Sequence, residues 1–138
     1  EHDAVLSTGH LAPEESLILF RAAKEAGVKR MVLTHASLGV TDAGLALQRE
    51  ARSLGAWIEH CLLALTPGER SCTEAEMAAQ IQAIGAEHVF LTSDLGQMPN
   101  GPVVAGFGNG LARLVAAGLS RREAKMISSV NPEKVLFA

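Results

Sequence analysis

Two histidines and one aspartate each follow a short apolar run in this chain of 138 residues. His10 follows Val5-Leu-Ser-Thr-Gly, His35 follows Met31-Val-Leu-Thr, and Asp94 follows Val89-Phe-Leu-Thr-Ser. Runs of this length and composition predict buried β-strands, and strands are poor in Asp. Imidazole and carboxylate groups are common zinc ligands. The three strand ends therefore predict one metal site, with His10, His35 and Asp94 as ligands.

Each of these residues also has a purely structural interpretation. Asp94 can cap a turn or a following helix, because its carboxylate accepts backbone N–H bonds. His10 can shape the turn after Gly9, and His35 can end its strand without binding a ligand. We favour a shared site because all three occupy the same place in a repeated unit. Ser–His–Asp nucleophilic chemistry is a weaker alternative, because the chain has no Gly-x-Ser-x-Gly elbow.

The repeated unit reads glycine, strand, polar residue, loop and capped helix. Strands are predicted at residues 3–8, 28–34 and 56–60, and from Val89 to Asp94. Helices are predicted from Pro13 to Gly27, from Thr41-Asp42 to about Ser53, from Thr73 to Gly85, over 103–117, and from Ser120 to about Ser129, with Asn131-Pro132 as the stop. Strands and helices that alternate at this spacing give parallel strands with right-handed crossovers.

Two α/β architectures fit this alternation, an open doubly wound sheet and part of a (β/α)8 barrel. Ligand groups gather at one switch point in the open sheet, but they come from the ends of several strands in the barrel. We therefore predict a single partial domain over residues 1–138 that forms roughly half of a (β/α)8 TIM barrel. A whole barrel needs about 250 residues. Because four strands would leave two unpaired edges, we expect a preceding N-terminal half or a second copy to complete it.

Composition narrows the class of partner. Twelve basic and fifteen acidic residues are mixed along the chain and give a net charge of −3, so binding to nucleic acid or to an anionic membrane is not expected. No apolar run approaches the roughly 20 residues that span a bilayer. The two cysteines form no CxxC pair, which favours a reduced, cytoplasmic setting. A small-molecule substrate is the expected partner.

Three further residues are candidates for substrate contact. Glu59 and His60 end the third strand, and only one of them can face the site because side chains alternate along a strand. We favour Glu59, although a solvated carboxylate at the rim is an equally good interpretation. Gln97 lies three residues after Asp94 in the predicted loop, where it can contact substrate or form part of a turn. His88, at the start of a strand, is expected to be structural, and His2 is expected to be disordered.

The order of these motifs resembles the C-terminal half of the amidohydrolase superfamily of metal-dependent hydrolases, and most closely its TatD-like and phosphotriesterase-like members. The features that carry the resemblance are the strands ending in His10, His35 and Thr92-Ser-Asp94, then Leu119-Ser-Arg-Arg-Glu-Ala-Lys-Met126 and Val130-Asn-Pro-Glu-Lys-Val-Leu136. The resemblance implies that His10 and His35 bind a divalent metal, most simply zinc. It implies that Asp94 is both a ligand and the general base.

The expected activity is hydrolysis of an amide, ester, lactone or phosphoester by metal-activated water. In that superfamily further ligands come from a His-x-His pair on the first strand and from a residue on the fourth, and these 138 residues contain neither. The alternatives are a half-barrel that no longer catalyses and acts as an assembly module, or a barrel that binds phosphate. Phosphate binding is the weaker alternative, because no glycine-rich segment that begins a helix directly follows Asp94.

Overall fold

The computed structural model of the chain describes residues 3–137, and His2 lies outside this range. Four strands alternate with helices along it. The strands are β1 (Val5–Ser7), β2 (Arg30–Leu33), β3 (Ala56–Cys61) and β4 (Val89–Thr92). The helices are α1 (Pro13–Glu25), α2 (Leu45–Ser53), α3 (Glu74–Ile84), α4 (Val103–Ala116), α5 (Arg121–Lys125) and α6 (Asn131–Phe137). None of the helices in this range has the length and apolar character needed to cross a membrane.

The four strands form one parallel sheet in which they pair in chain order, β1-β2-β3-β4. In the register, Val32 lies between Ser7 and Trp57, and Glu59 lies beside Phe90. Helix α1 packs against α2, α2 against α3, and α3 against α4. The predicted α/β fold with alternating parallel strands and helices is therefore confirmed.

The two faces of the sheet differ in chemistry. One face packs into the hydrophobic core, and its strand residues are Met31, Leu33, Ile58, Val89 and Leu91, each at most 3% exposed. Because side chains alternate along a strand, the other face carries the intervening residues, and the register aligns these across the sheet. Glu59 lies beside Phe90, and Cys61 beside Thr92. Glu59, Cys61 and Thr92 therefore lie together on this second face, towards the carboxyl end of the sheet.

Helix α2 begins later than predicted. Thr41 and Asp42 do not cap it, since the helix starts at Leu45 with Gly44 in the preceding position. The Thr41 hydroxyl instead donates to the carbonyl of His35, and the amide of Ala43 donates to the carbonyl of Ala36 over 3.0 Å. These bonds fold residues 36–43 into a compact turn. The turn holds the end of β2 in place.

The last helical segment also differs from the prediction, because Asn131-Pro132 does not stop it. A π-helical turn at Met126–Val130 joins α5 to α6, and Pro132 lies in the first turn of α6. Pro132 has no backbone N–H to donate, and the helical segment nevertheless continues past it to Phe137. The side chain of Asn131 is buried, and its Nδ2 donates to the carbonyls of Ala86 and Val89, over 2.7 and 2.6 Å. Asn131 therefore attaches this segment to the start of β4.

Helix α4 forms over the predicted range although it contains three glycines. An added Cβ at Gly110 would lie 2.6 Å from Cδ1 of Leu62, and one at Gly106 would lie 2.7 Å from Cδ1 of Leu95. An added Cβ at Gly108 would meet nothing within 4 Å. Two of the glycines therefore allow close packing against residues that directly follow β3 and Asp94, and Gly108 does not.

This difference gives a matched pair of substitutions. Gly108→Ala should raise the free energy of unfolding by up to about 1 kcal/mol, because alanine is the better helix former. Gly110→Ala should lower it by about 1–3 kcal/mol, because Leu62 is buried and has little room to move. Urea denaturation of the two variants measures both effects. Equal stabilisation by both would contradict the close packing of α4.

Candidate metal centre

The carboxyl ends of three neighbouring strands bring three ligand-type side chains together. Cys61 is the last residue of β3, His35 follows β2, and Asp94 follows β4. One ligand atom from each lies within 4.8 Å of the other two. Nε2 of His35 is 3.7 Å from Oδ2 of Asp94. Two of the predicted ligands, His35 and Asp94, therefore lie side by side.

His35 and Asp94 share an uncommon backbone conformation. Their φ angles are +53° and +47°, in the left-handed region that residues other than glycine seldom occupy. Such a conformation costs of order 1–3 kcal/mol and persists where the surrounding structure imposes it. The amide of Ala36 donates to the carbonyl of Glu59 over 2.8 Å, and the amide of Leu63 to the carbonyl of Ser93 over 3.1 Å. Neighbouring strand ends thus hold the chain directly after the bend at His35 and directly before the bend at Asp94.

Glu59 lies at the centre of this arrangement and is 6% exposed. Its Oε2 accepts a hydrogen bond from the backbone amide of His35 over 3.0 Å, and its Oε1 accepts one from the Thr92 hydroxyl over 2.5 Å. Oε2 is also 3.4 Å from Nδ1 of His35. The preference for Glu59 over His60 as the residue facing the site therefore agrees with the structure. Both carboxylate oxygens of Glu59 accept hydrogen bonds from the protein, so Glu59 contacts His35 and is not a solvent-exposed group at the edge of the site.

Hydrogen-bonding groups next to the imidazole favour a protonated His35. The Cys61 thiol and then the Glu59 carboxylate, both close to the imidazole, raise the pKa of His35 to about 10 against the opposing effect of burial. Burial raises the pKa of Glu59, but hydrogen bonds from His35 and Thr92 outweigh it and leave that pKa below its ordinary value. A metal would have to displace the proton of His35, so metal affinity should increase with pH.

His10 lies next to His35, on the side of the cluster nearest to the edge strand β1. Its ring centroid is 5.4 Å from that of His35, with 43° between the ring planes, and the residue is exposed. The amide of Gly9 donates to Oγ1 of Thr34 over 3.2 Å, and the amide of Thr34 donates to Oγ1 of Thr8 over 3.0 Å. These bonds hold the end of β1 against the end of β2. His10 is near the predicted site, but it is not one of the three residues whose ligand atoms lie within 4.8 Å of one another.

His60 lies on the other face of β3, among the helices. It is completely buried, and its Nδ1 contacts the hydroxyl of Ser37. The side chain of Gln80 accepts from Ser37 over 3.5 Å and from Gln48 over 2.9 Å. His60, Ser37, Gln80 and Gln48 therefore form a second polar cluster. Burial lowers the pKa of His60 to about 4, against a smaller opposing effect of Glu59. The predicted substrate contact at His60 does not fit this position, because the sheet separates it from the site.

The other two sequence candidates lie nearer the surface. Gln97 is exposed in the loop after Asp94, where its side-chain oxygen accepts from Nδ2 of Asn100 over 2.6 Å. His88 directly precedes β4, at the amino end of the sheet and away from the cluster, as expected for a structural residue.

Cys61 is the member of this cluster that sequence reasoning missed. The third strand was predicted to end at His60, which left Cys61 in the following loop, but β3 continues to Cys61. The signal was the alternation of side chains, which gives residues 59 and 61 the same face of one strand. A thiolate, an imidazole and a carboxylate together make a donor set that suits zinc.

Residues 1–59 match a family of unknown function (DUF6282). The matched segment contains His10, His35 and Glu59, and it ends before Cys61 and Asp94. No curated protein and no solved structure matches the chain. The chemistry of the cluster is therefore inferred from its residues and their geometry.

The low pKa of His60 predicts how stability depends on pH. His60 has a pKa of about 4 when folded and about 6.5 when unfolded. The unfolded chain therefore takes up the proton first, so this contribution is complete above pH 6.5 and is lost as the pH falls towards 4. The loss should reach about 3 kcal/mol.

Urea unfolding of metal-free protein between pH 7 and pH 4 measures this loss. His60→Gln should flatten the pH dependence, and His88→Gln serves as the control because that side chain is 43% exposed. The same pH dependence in wild type and His60→Gln would show that His60 is not buried in its neutral form.

Proposed function

We propose that the chain carries the metal-binding half of a hydrolase that uses a metal-activated water molecule on an amide, ester, lactone or phosphoester. The observation that carries this proposal is the convergence of His35, Cys61 and Asp94 from three neighbouring strand ends to within 4.8 Å. A zinc ion bound there would lower the pKa of a water molecule towards 7. The proposed ligands are these three side chains, with His10 as an additional ligand on the outer side.

The backbone strain gives independent support. His35 and Asp94 are two of the four non-glycine residues with positive φ among residues 3–137. An assembly module without a site would have no need for two bent backbones at adjacent strand ends, whereas a site that must aim two side chains at one point does. This favours a catalytic module over an inert half-barrel.

Asp94 is the proposed general base. Its side chain is 33% exposed, whereas that of His35 is 14% exposed, so a water molecule and a substrate can reach Asp94 more easily. A carboxylate within hydrogen-bond reach of a water molecule can accept its proton while the remaining oxygen attacks the substrate. Cys61 is only 1% exposed and is suited to holding a metal, not to touching substrate. Gln97, in the exposed loop, is the proposed substrate contact.

The strand order supports a barrel as the wider architecture. Strands β1 to β4 pair in chain order, whereas a doubly wound sheet reverses its order at a switch point. Consecutive helices also pack against one another, as they do around a (β/α)8 barrel. We propose that the chain contributes four of the eight units. A preceding N-terminal half or a second copy of the chain would pair with β1 and β4.

Metal analysis tests this proposal directly. Purified protein should bind zinc, and His35→Ala and Asp94→Asn should each weaken binding by more than the roughly 10–100-fold that loss of an outer-shell partner costs. His88→Ala is the matched control, because it removes an imidazole at the amino end of the sheet. Dialysis against a competing chelator, followed by elemental analysis, gives the affinities.

Activity provides the second measurement. Zinc-loaded protein should hydrolyse at least one chromogenic ester, lactone, amide or phosphoester, and a chelator should abolish the reaction. Unchanged zinc binding in His35→Ala would remove the proposal. Hydrolysis that survives complete removal of metal would also contradict it.

A further inference from the structure

One buried carboxylate links its own strand to both neighbouring strand ends. Glu59 belongs to β3, accepts from the backbone amide of His35 after β2, and accepts from the side chain of Thr92 in β4. Burying a carboxylate is costly unless donors surround it, and both oxygens of Glu59 have one. Glu59 is therefore held in a fixed position directly beside His35.

The two nitrogens of His35 face different carboxylates. Nδ1 is 3.4 Å from Oε2 of Glu59, and Nε2 is 3.7 Å from Oδ2 of Asp94. Nδ1 is buried and has no hydrogen-bond partner that satisfies the usual geometry. At 3.4 Å, a small rotation of the ring would complete a bond from Nδ1 to Oε2 of Glu59. That arrangement keeps Nε2 directed towards Asp94.

We propose that Glu59 is a positioning residue, which turns the His35 imidazole so that Nε2 points at the site shared with Cys61 and Asp94. This inference rests on the proposed metal-binding function. Histidines that bind a metal through one nitrogen usually donate the other N–H to a carboxylate or carbonyl, which fixes the ring and strengthens the ligand. Glu59 gives His35 such a partner through a contact that also ties the strand ends together.

Two other roles for Glu59 fit the structure less well. As a ligand it would have to give up the bonds from Thr92 and from the backbone of His35, and its oxygens are not part of the cluster within 4.8 Å. As a substrate contact it would have to be reachable, but the residue is 6% exposed. A role confined to tying the strands together is the remaining competitor, and the experiment must separate it from positioning.

Glu59→Gln separates the two roles. The glutamine oxygen can still accept from the amide of His35, and its NH2 group can donate to Oγ1 of Thr92, so the ties between strands are kept. The negative charge beside Nδ1 is lost. We expect zinc affinity to fall about 10–100-fold and the visible spectrum of the cobalt-loaded protein to change. The metal-free protein should stay folded, with a melting temperature lowered only by the loss of the charge contact between Glu59 and His35.

Thr92→Val is the matched control. It removes one tie between β3 and β4 and leaves the contact between Glu59 and His35 in place. We expect a lower melting temperature and the wild-type cobalt spectrum, with a much smaller change in zinc affinity than in Glu59→Gln. Glu59→Asp is the second test variant, because it keeps the charge but withdraws it by one methylene from Nδ1. It should also lose zinc affinity.

The outcomes distinguish the positioning role from the metal site itself. Wild-type zinc affinity in Glu59→Gln and Glu59→Asp, with binding lost in His35→Ala, would overturn the positioning role and leave the metal site intact. Zinc binding lost as completely in Glu59→Gln as in His35→Ala would make Glu59 a ligand, which also overturns it. Zinc binding unchanged in His35→Ala would remove the site, and the positioning role with it.

Discussion

The burial of the Glu59 carboxylate is the constraint on which the polar end of the sheet depends. A carboxylate that leaves water must be surrounded by donors, and here they come from both neighbouring strand ends. One donor is the backbone amide of His35, which has φ of +53°. The hydrogen bonds to Glu59 therefore help to stabilise the strained bend, and the bend supplies a donor that the buried charge requires. Each feature therefore stabilises the other.

The same strand fixes the His35 turn from both faces of the sheet. On the site side, Glu59 accepts from the amide of His35, and on the helix side, His60 contacts Ser37 two residues further along. Gln48 of α2 closes the turn by donating to the carbonyl of Ala43 over 2.7 Å. Alternation along β3 thus produces two polar clusters, one partly exposed around Asp94 and one largely buried around His60. The buried cluster leaves residues 36–43 little freedom, so the position of His35 is set by tertiary structure as well as by its own strand.

Local signals in the sequence predicted much of this arrangement. The apolar runs gave the strands, and the capping box from Thr73 to Glu76 gave the start of α3. His35 and Asp94 could be placed together because parallel strand ends meet at one edge. Cys61 was missed because the third strand was predicted to end one residue too early, at His60, and local patterns place strand ends least precisely. The start of α2 was misplaced because Thr41 bonds to His35 and caps no helix, a tertiary contact that local patterns do not encode.

The two ends of the sheet differ in their contacts and in their backbone strain. At the amino end, Arg30 donates to the carbonyls of Leu136 in α6 and Asp3 before β1, over 2.7 and 2.5 Å, and Asn131 attaches α6 to the start of β4. These contacts join distant parts of the chain and lie away from the strained residues. At the carboxyl end, positive φ angles, buried charge and a shifted pKa occur together at His35 and its neighbours. A parallel α/β fold can tolerate strain at one end of its sheet when many contacts stabilise the other end. In (β/α)8 barrels, the amino end of the sheet contributes stability and the carboxyl end carries the catalytic residues. The distribution of contacts in this chain is therefore itself an argument for a site at His35, Cys61 and Asp94.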